Sequence, residues 1–395
     1  MINYTIKSLS KISPKGLARL ENTACSLVDS SEEPDGILIR SQVFVKADIK
    51  DSLKAISRAG VGVNNIPIDL CTEKGIVVFN TPGANANAVK ELVLAGLMLS
   101  SRNVFSSIDF VKGLEHLEKM EELELFLEEN KKKFKGKELR GSTLGVVGLG
   151  AIGSYVAKMG VALEMKVIGY DPALSVEAAW RLPNQVEPVD TIEHLFEISD
   201  FITLHIPANE STKGLVNKEL LNHAKSLSLL NFARHEVVDS QAILDSLGEQ
   251  TLINFVTDFP TPELIKRANN YGDVILLPHL GASTTQAEEN CAIMAVDQIT
   301  EFLQSGNITN SVNFPNIHLD MSTDYRIAIT NKNVPAMIGK IASRLGELGL
   351  NISDMTNVSK GDIAYNLIDV ENKVDAEAIQ QLSSIQDIIN VRLID

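Results

Sequence analysis

Three side chains with complementary acid–base chemistry each follow a short apolar run. They are Arg234, Glu263 and His279, which are distant from one another along the chain. In an open α/β sheet the carboxyl ends of the strands line the ligand crevice, so we expect the three to converge there. A histidine can remove a hydroxyl proton near neutral pH, a carboxylate can orient the imidazole, and a guanidinium can hold a substrate carboxylate at two points. This combination predicts hydride transfer at a 2-hydroxy acid.

A glycine-rich segment supplies the partner for that chemistry. The predicted strand 143–147 runs into Gly148-Leu149-Gly150-Ala151-Ile152-Gly153, a helix is predicted over 154–162, and the strand 166–170 ends at Asp171. These glycines allow a tight turn, close approach of the backbone to a pyrophosphate, and packing of helix on strand. Asp171 can accept hydrogen bonds from ribose hydroxyls and would repel a 2′-phosphate, which favours NAD over NADP. The same segment also fits a protein that binds NAD without turning it over.

Position rather than residue type distinguishes His279 from the other histidines, since the chain has seven. His205, in Leu204-His205-Ile206-Pro207, is predicted to be structural, in a loop beside the cofactor.

The segments that must position these residues alternate between short strands and helices up to about residue 310, which is typical of a mainly parallel sheet. We predict an α/β fold, with a Rossmann cofactor domain at 93–282 and a split flavodoxin-like substrate domain at 1–92 and 283–312. Closure of the substrate domain over the cofactor would exclude water from the hydride path. Buried strands are predicted at 36–39, 75–79, 143–147, 166–170, 201–205, 227–230, 253–256 and 274–277.

Composition changes after the last of these helices. A polar linker at 313–323 precedes a small α+β module with its own core at 324–395. Its predicted order is βαββαβ. The strands are at 325–329, 351–358, 363–370 and 388–394, and the helices at 334–348 and 376–382.

Residues 114–133 combine an apolar stripe with many glutamates. The stripe is Leu114, Leu117, Met120 and Leu125. A solvated amphipathic helix is the favoured interpretation, and an arm that contacts a second subunit is the alternative. The adjacent Lys131-Lys132-Lys133 is interpreted as a solvated basic patch, with a charge contribution to a neighbouring active site as the alternative.

The bulk composition argues against several classes of protein. A chain of 395 residues is too long for one core, so two or three domains are expected. The formal charge of −15 argues against sequence-independent binding to nucleic acid. No apolar run approaches a membrane span, and residues 1–17 lack the apolar stretch of a secretory signal. The three cysteines are far apart and lack metal-ligand spacing, so we expect no metal, no disulfide framework and a cytoplasmic location.

The surroundings of the three catalytic candidates resemble the signatures of the D-2-hydroxyacid dehydrogenases. Arg234 stands in NFAR, Glu263 in TDFPTPE and His279 in PHLGAST. The resemblance implies that His279 is the acid–base, that Glu263 is its carboxylate partner and that Arg234 anchors the substrate carboxylate beside the nicotinamide. It also implies that Asp258 holds the nicotinamide. The other residues that it places along the cofactor are Gly148, Gly150, Ala151, Ile152, Gly153, His205, Ile206, Pro207, Phe232, Ala233, Gly281 and Ala282.

Two positions depart from that family's pattern. His235 follows Arg234 where the family usually has glycine, which adds a second imidazole near the site. Pro262-Glu263 inverts the usual order of glutamate and proline. Glu263 still lies five residues after Asp258, so it keeps its assignment.

The N-terminal part of the chain resembles the branch of this family that acts on 3-phospho-D-glycerate. The resemblance rests on Arg40-Ser41, on 58–65 (RAGVGVNN) and on 80–87 (NTPGANAN). Glycines in the second run free backbone N–H groups for a carboxylate, and the two arginines are cations that can meet a phosphate. The predicted substrate residues are Arg40, Ser41, Arg58, Gly60, Val61, Gly62 and Asn85. The alternatives are an unphosphorylated 2-oxo acid such as 2-oxoglutarate, and a regulatory protein that responds to NAD or to an amino acid.

The C-terminal module resembles an ACT domain, a fold that pairs side by side and binds amino acids at the seam. The resemblance implies a homodimer or homotetramer and a serine effector, with Asn331, Asn333 and Asn351 at the ligand positions. Pro335-Ala336 replaces the family's usual Pro-Gly and reduces the backbone freedom of that loop. Asn331 stands where the family often has histidine. A module that serves only dimerisation is the alternative.

Overall fold

The computed structural model describes residues 3–28 and 33–394. The chain forms two compact units, Met1–Asn85 with Thr285–Asp395, and Ala86–Thr284. The finer division into substrate, cofactor and C-terminal domains stays a prediction. The strands are β1 (Tyr4–Ser8), β2 (Cys25–Val28), β3 (Gly36–Ile39), β4 (Ala55–Arg58), β5 (Val77–Phe79), β6 (Thr143–Val147), β7 (Lys166–Tyr170), β8 (Val186–Pro188), β9 (Phe201–Leu204), β10 (Leu227–Asn231), β11 (Leu252–Thr257), β12 (Val274–Leu276), β13 (Tyr325–Lys332), β14 (Ile352–Lys360), β15 (Ile363–Val370) and β16 (Ile388–Ile394).

The helices are α1 (Pro14–Leu17), α2 (Ile68–Glu73), α3 (Ala86–Arg102), α4 (Val104–Lys112), α5 (Met120–Asn130), α6 (Ala151–Ala162), α7 (Val176–Ala179), α8 (Ile192–Ile198), α9 (Lys218–Leu221), α10 (Ser240–Glu249), α11 (Pro262–Tyr271), α12 (Thr285–Ser305), α13 (Met337–Glu347) and α14 (Ala376–Ser383). Several begin after a polar residue whose side chain accepts a backbone N–H of the first turn, such as Asp239 before α10 and Thr261 before α11. Within the described ranges, no helix combines the length and the apolar character that crossing a membrane requires.

The first unit contains a parallel sheet with the order β2-β1-β3-β4-β5. β3 is buried along its whole length, as expected of a parallel strand that is covered on both faces. The long helix α12 packs closely on this sheet, because a Cβ at Gly36 would lie 2.8 Å from the Ile299 side chain. Arg40 follows β3 and Arg58 ends β4. Both cations therefore lie at the carboxyl edge of the sheet.

The chain returns along β5 after α12. The N–H of Val312 donates to the carbonyl oxygen of Val78 at 2.9 Å, and Oδ1 of Asn313 accepts the N–H of Val78 at 2.8 Å. This return segment satisfies backbone groups that an edge strand would otherwise leave unpaired.

The same unit holds an antiparallel sheet with the order β14-β15-β13-β16. Alternate residues of β15 face opposite sides, as the period of a strand requires. Ile368 and Val370 belong to the core with α13 and α14, whereas Tyr365 and Leu367 join the core of α12 and the first sheet. The predicted βαββαβ order is confirmed.

The second unit contains a parallel sheet with the order β12-β11-β10-β9-β6-β7-β8. The strand order reverses between β6 and β9, which pair directly. Ligands of doubly wound sheets bind at such a reversal, outside the carboxyl ends of the strands. The predicted α/β fold with a Rossmann-type sheet is confirmed.

The segment 114–133 is less helical than predicted. Only α5 forms an α-helix within it. Met120 and Leu125 of the predicted stripe are exposed, whereas Leu114 is buried. The choice between a solvated helix and a subunit-contact arm therefore stays open.

Two further boundaries differ from prediction for reasons in the backbone. α13 begins at Met337 rather than at 334, because Ala336 takes a left-handed φ of 68° before the helix starts. β5 begins at Val77 rather than at 75, because Gly75 closes the turn after α2 with a φ of 72°. The strands β1, β2, β4 and β8 were not among the predicted ranges.

Candidate active site

The glycine-rich turn after β6 has the close contacts that a dinucleotide loop requires. Gly148 has a φ of 87°, and a Cβ there would lie 2.6 Å from the carbonyl oxygen of His205. A Cβ at Gly153 would lie 1.9 Å from the carbonyl oxygen of Gly148, so α6 can pack here only with glycine. A Cβ at Gly150 would meet no atom within 4 Å. This open space lies at the N-terminus of α6, where the first N–H groups of a helix lack intrahelical partners, and it suits a pyrophosphate.

Asp171 follows β7 and lies beside this turn. Its Oδ2 accepts the N–H of Leu149 at 2.9 Å, and its Oδ1 accepts the N–H of Ala173 at 3.0 Å. A carboxylate has further lone pairs, so Asp171 can still accept hydrogen bonds from ribose hydroxyls. The bond from Leu149 ties the acid to the glycine-rich turn, so the two predicted parts of the cofactor site lie together.

His205, in the loop after β9, has the surroundings of a structural residue. Its Nε2 lies 2.9 Å from Oγ1 of Thr203, and its Nδ1 has no partner among the described residues. Burial lowers the pKa of His205 to about 3, so the ring is neutral at physiological pH. Because an efficient acid–base has a pKa near the working pH, these surroundings support the structural assignment.

Asp258 supplies a buried acceptor beyond the end of β11. The residue is 1% exposed, and its Oδ2 accepts the N–H of Gly281 at 3.0 Å. Burial raises the pKa of Asp258, although the N–H of Gly281 and the charge of His279 oppose the shift. Its Oδ1 has no partner among the described residues. An unpaired buried acceptor is costly, and a carboxamide such as that of nicotinamide would provide the missing donor.

His279 is held by its backbone rather than by its side chain. Its φ of 52° lies in the left-handed region, and its N–H donates to the carbonyl oxygen of Asp258 at 2.9 Å. The exposed imidazole packs edge-on against Phe259, with ring centroids 5.1 Å apart. Left-handed residues other than glycine cost about 1–3 kcal/mol and cluster at functional sites. An exposed imidazole with a constrained backbone suits proton transfer to a bound substrate.

Arg234 lies in a loop that Asn231 shapes. Nδ2 of Asn231 donates to the carbonyl oxygen of Arg234 at 2.9 Å, and Oδ1 of Asn231 accepts the N–H of Ala233 at 3.1 Å. The hydroxyl of Thr257 donates to the carbonyl oxygen of Asn231 at 2.8 Å, which ties the end of β10 to the end of β11. The loops that carry Arg234 and Asp258 are therefore fixed side by side.

The predicted pairing of Glu263 with His279 is not seen among the described residues. Glu263 lies exposed in the first turn of α11. Across residues 3–28 and 33–394, no hydrogen bond or ion pair joins the two side chains. Catalytic hydrogen bonds often tighten only in the substrate complex, so the role of Glu263 stays a prediction.

Phe259 joins the two exposed imidazoles of this region, although no sequence pattern singled it out. Its ring centroid lies 6.4 Å from that of His235 and 5.1 Å from that of His279. His235 also lies beside a carboxylate, since its Nδ1 is 3.0 Å from Oε2 of Glu236. The position of Phe259 next to Asp258 was the available signal. The assignment of the acid–base to His279 rather than His235 therefore stays a prediction.

In the other unit, Arg40 and Arg58 form one cationic surface. Nε of Arg58 donates to the carbonyl oxygen of Arg40 at 3.0 Å. The Arg58 guanidinium lies over Gly60, where a Cβ would be 2.6 Å from its Nη1. Nδ2 of Asn80 donates to the carbonyl oxygen of Val61 at 2.6 Å and fixes the loop. The four predicted residues Arg40, Arg58, Gly60 and Val61 therefore lie together.

A carboxylate that no sequence pattern marks is part of this surface. Oε1 of Glu288, in the first turn of α12, lies 2.6 Å from Nη2 of Arg40. Of the remaining predicted substrate residues, Ser41 is exposed. Asn85 has a buried Oδ1 without a partner in the described part of the chain, so it can accept a hydrogen bond from a ligand.

The predicted effector residues differ in their availability. Asn331 is buried, and its Oδ1 accepts a hydrogen bond from Nδ2 of Asn366 at 2.8 Å. Asn333 is exposed and donates to the carbonyl oxygen of Gly361 at 3.1 Å, and Asn351 is exposed. The side chain of Asn331 is thus engaged within the sheet, whereas the other two asparagines are open to solvent.

Comparison with known families identifies the central part of the chain. Residues 105–281 match the family model described as D-isomer specific 2-hydroxyacid dehydrogenase, NAD binding domain. The matched residues include the glycine-rich turn, Asp171, Asp258 and His279.

Similar proteins extend the match to both sides of that domain. D-3-phosphoglycerate dehydrogenase of Methanocaldococcus jannaschii is 33% identical over 349 residues, which cover 86% of this chain and 61% of that protein. The chain thus spans less than two thirds of that relative's length. Hydroxypyruvate reductase of Thermotoga maritima is 36% identical over 277 residues, 68% of this chain and 84% of that protein. The solved structure of NAD⁺-bound 3-phosphoglycerate dehydrogenase of Entamoeba histolytica aligns with a TM-score of 0.61 and 27% identity, covering 79% of this chain and 99% of that one.

Proposed function

Because this chain belongs to the D-isomer specific 2-hydroxyacid dehydrogenases, we propose that it oxidises 3-phospho-D-glycerate to 3-phosphohydroxypyruvate with NAD, the first step of serine biosynthesis. The observation that carries the choice of substrate is the joint surface of Arg40 and Arg58, linked by the hydrogen bond of 3.0 Å from Nε of Arg58. Guanidinium groups bind phosphate through paired, charge-assisted hydrogen bonds. The relative from Methanocaldococcus jannaschii is a D-3-phosphoglycerate dehydrogenase, which supports the same choice of substrate.

The residues around the glycine-rich turn fit NAD. The N-terminus of α6 beside Gly150 would hold the pyrophosphate, and Asp171 would accept hydrogen bonds from the ribose. Oδ1 of Asp258, which lacks a partner among the described residues, would accept a hydrogen bond from the carboxamide. When bound, NAD takes up the hydride from C2 of the substrate.

The chain's own residues handle the proton and the substrate charges. His279 accepts the proton of the C2 hydroxyl during oxidation and returns it during reduction. Arg234 binds the substrate carboxylate, and Glu263 stabilises the imidazolium form of His279. Arg40 and Arg58 bind the phosphate.

The test is a spectrophotometric assay of NADH consumption with 3-phosphohydroxypyruvate, because oxidation in the forward direction is uphill. Arg58→Ala removes charge-assisted hydrogen bonds that contribute about 1.5–3 kcal/mol each. We expect kcat/KM for 3-phosphohydroxypyruvate to fall about 10- to 150-fold, with a smaller change for hydroxypyruvate, which lacks the phosphate. An equal loss for both substrates would remove the phosphate role from Arg58.

A second candidate function is reduction of an unphosphorylated 2-oxo acid. The contact between Glu288 and Arg40 favours it, since a carboxylate already offsets one of the two cations. Turnover of hydroxypyruvate or 2-oxoglutarate without turnover of 3-phosphohydroxypyruvate would establish this candidate and keep the catalytic residues.

We infer that the C-terminal module binds serine and that the chain forms a homodimer or homotetramer. The exposed Asn333 and Asn351 support a ligand site in this module, although Asn331 is engaged by Asn366. Calorimetry with millimolar serine tests the first point, and analytical ultracentrifugation tests the second. A module that produces no heat but sediments as a dimer would serve assembly alone.

A further inference from the structure

A carboxylate of the protein itself, that of Glu288, lies at the surface formed by Arg40 and Arg58. Oε1 of Glu288 lies 2.6 Å from Nη2 of Arg40, and the two side chains are 43% and 41% exposed. The contact joins the first turn of α12 to the residue that follows β3. A carboxylate therefore uses a donor of Arg40 that a substrate anion would need.

The surroundings of Cys291, one turn further along α12, show that these three charges lie close together. Burial raises the pKa of the Cys291 thiol, while the positive charges of Arg40 and Arg58 oppose the shift and the negative charge of Glu288 adds to it. The two cations and the carboxylate thus act on the same point in the structure.

The carboxylate of Glu288 therefore offsets part of the positive charge that Arg40 brings to this surface. A phosphate dianion would bind more tightly to the two cations alone than to cations partly neutralised by a neighbour. Because the pair of Arg40 and Glu288 is solvent-exposed, its strength is modest, and a substrate phosphate can displace the carboxylate.

We propose that Glu288 is a specificity-determining residue, an internal competitor that weakens the affinity of Arg40 for phosphorylated substrates and leaves unphosphorylated 2-oxo acids nearly unaffected. The proposal rests on the proposed function, since it assumes that Arg40 meets the substrate phosphate. Glu288 tunes binding and takes no part in hydride or proton transfer.

The neighbouring residue provides a matched control. Glu289 is the next residue on α12, but its Oε2 lies 2.8 Å from Nζ of Lys15, away from Arg40. Glu288→Gln and Glu289→Gln each remove one negative charge from the same helical turn. Only Glu288→Gln removes it from the arginine surface.

The experiment measures KM for 3-phosphohydroxypyruvate and for hydroxypyruvate at saturating NADH in the wild type, Glu288→Gln and Glu289→Gln. Exposed ion pairs contribute about 0.2–1 kcal/mol, so Glu288→Gln should lower KM for the phosphorylated substrate up to about fivefold. Its KM for hydroxypyruvate and its kcat should change less than twofold. Glu289→Gln should match the wild type. Higher ionic strength should shrink the difference between the two variants, because salt screens exposed charges.

The outcomes separate this inference from the proposed function. Turnover of 3-phosphohydroxypyruvate by the wild type with an unchanged or higher KM in Glu288→Gln would overturn the inference alone, and a higher KM would mean that Glu288 positions Arg40. Turnover that emerges only in Glu288→Gln would support the inference and correct the proposed substrate. No turnover of the phosphorylated acid by either protein would overturn both.

Discussion

The glycine-rich turn with Asp258, which we assign to the cofactor side, and the surface of Arg40 and Arg58, which we assign to the substrate side, are shaped in different ways. At the cofactor turn, a Cβ at Gly150 would enter open space, and Oδ1 of Asp258 waits without a partner among the described residues. At the substrate surface, Arg40 is already paired with Glu288. The first region is shaped by backbone geometry, and the second by a balance of exposed charges.

This difference teaches which changes each region tolerates. A backbone cradle fails when one Cβ is added in the wrong place, because close contacts cannot relax. A surface of exposed charges keeps its shape after substitution and changes affinity by small factors. We therefore expect large effects from substitutions on the cofactor side and graded effects on the substrate side.

The largest effect should come from His279→Ala. Loss of a general acid–base typically lowers the rate about 10²- to 10⁴-fold, so kcat for NADH oxidation should fall by that factor. The affinity for NADH, measured by fluorescence titration, should stay within about twofold of the wild type, since the turn that we assign to the pyrophosphate is elsewhere.

His235→Ala is the matched control, because the ring of His235 also lies beside Phe259 and its Nδ1 is 3.0 Å from Oε2 of Glu236. If His235→Ala loses turnover and His279→Ala keeps it, His235 rather than His279 is the acid–base. A wild type that binds NADH and shows no turnover with any 2-oxo acid would favour the regulatory alternative.

The next effect concerns pH and the rigidity of the cofactor side. Burial lowers the pKa of His205 to about 3, so the unfolded chain binds its proton at a higher pH than the folded chain does. Stability that is present above the unfolded pKa is therefore lost as the pH falls from about 6.5 towards the folded value. Between pH 7 and pH 5 this histidine should remove about 2 kcal/mol from the free energy of unfolding.

Urea unfolding at a series of pH values in wild type and His205→Asn measures that contribution as a difference. The raised pKa of Asp258 acts in the opposite direction, and it is present in both proteins, so it cancels. Parallel stability curves for the two proteins between pH 7 and pH 5 would show that the fold does not lower the pKa of His205. The loop after β9 would then be more open to solvent than expected of a rigid cofactor side.

The backbone-shaped region could be predicted from the sequence, because its signal is local. The spacing of Gly148, Gly150 and Gly153 between a strand and a helix dictates the turn, and Asp171 follows at the end of the next strand. The βαββαβ order of the C-terminal module was likewise predictable from short-range periodicity.

The charge-shaped region could not be predicted in the same way, because its contacts join distant parts of the chain. Arg40 and Glu288 are 248 positions apart, and an exposed helical glutamate has no distinguishing pattern. The engagement of Asn331 by Asn366 depends on the register of β13 and β15, which no local motif fixes. The left-handed φ of Ala336 was not predicted for a different reason. Alanine favours a right-handed conformation, so the residue type gives no sign of it.

The most specific test of the contrast is Gly150→Ala. The φ of Gly150 is −67°, outside the left-handed region, and its Cβ would meet no atom within 4 Å. The free energy of unfolding without cofactor should therefore be unchanged. The added methyl group enters the space that we assign to the pyrophosphate, and crowding of this kind costs about 1–3 kcal/mol. The affinity for NADH should fall at least about fivefold.

Gly248→Ala in α10 is the control, because its Cβ would also meet no atom within 4 Å but lies outside the glycine-rich turn. It should keep the NADH affinity of the wild type and gain a little stability, since alanine favours a helix more than glycine does. If both variants bind NADH equally well, the open space at Gly150 is not where the pyrophosphate lies. If Gly150→Ala unfolds more easily than the wild type, the added methyl group contacts the protein itself, and the space at Gly150 is not open for a ligand. In either case, the glycine-rich turn would not be a cofactor site formed by backbone geometry, and its contrast with the charged substrate side would be wrong.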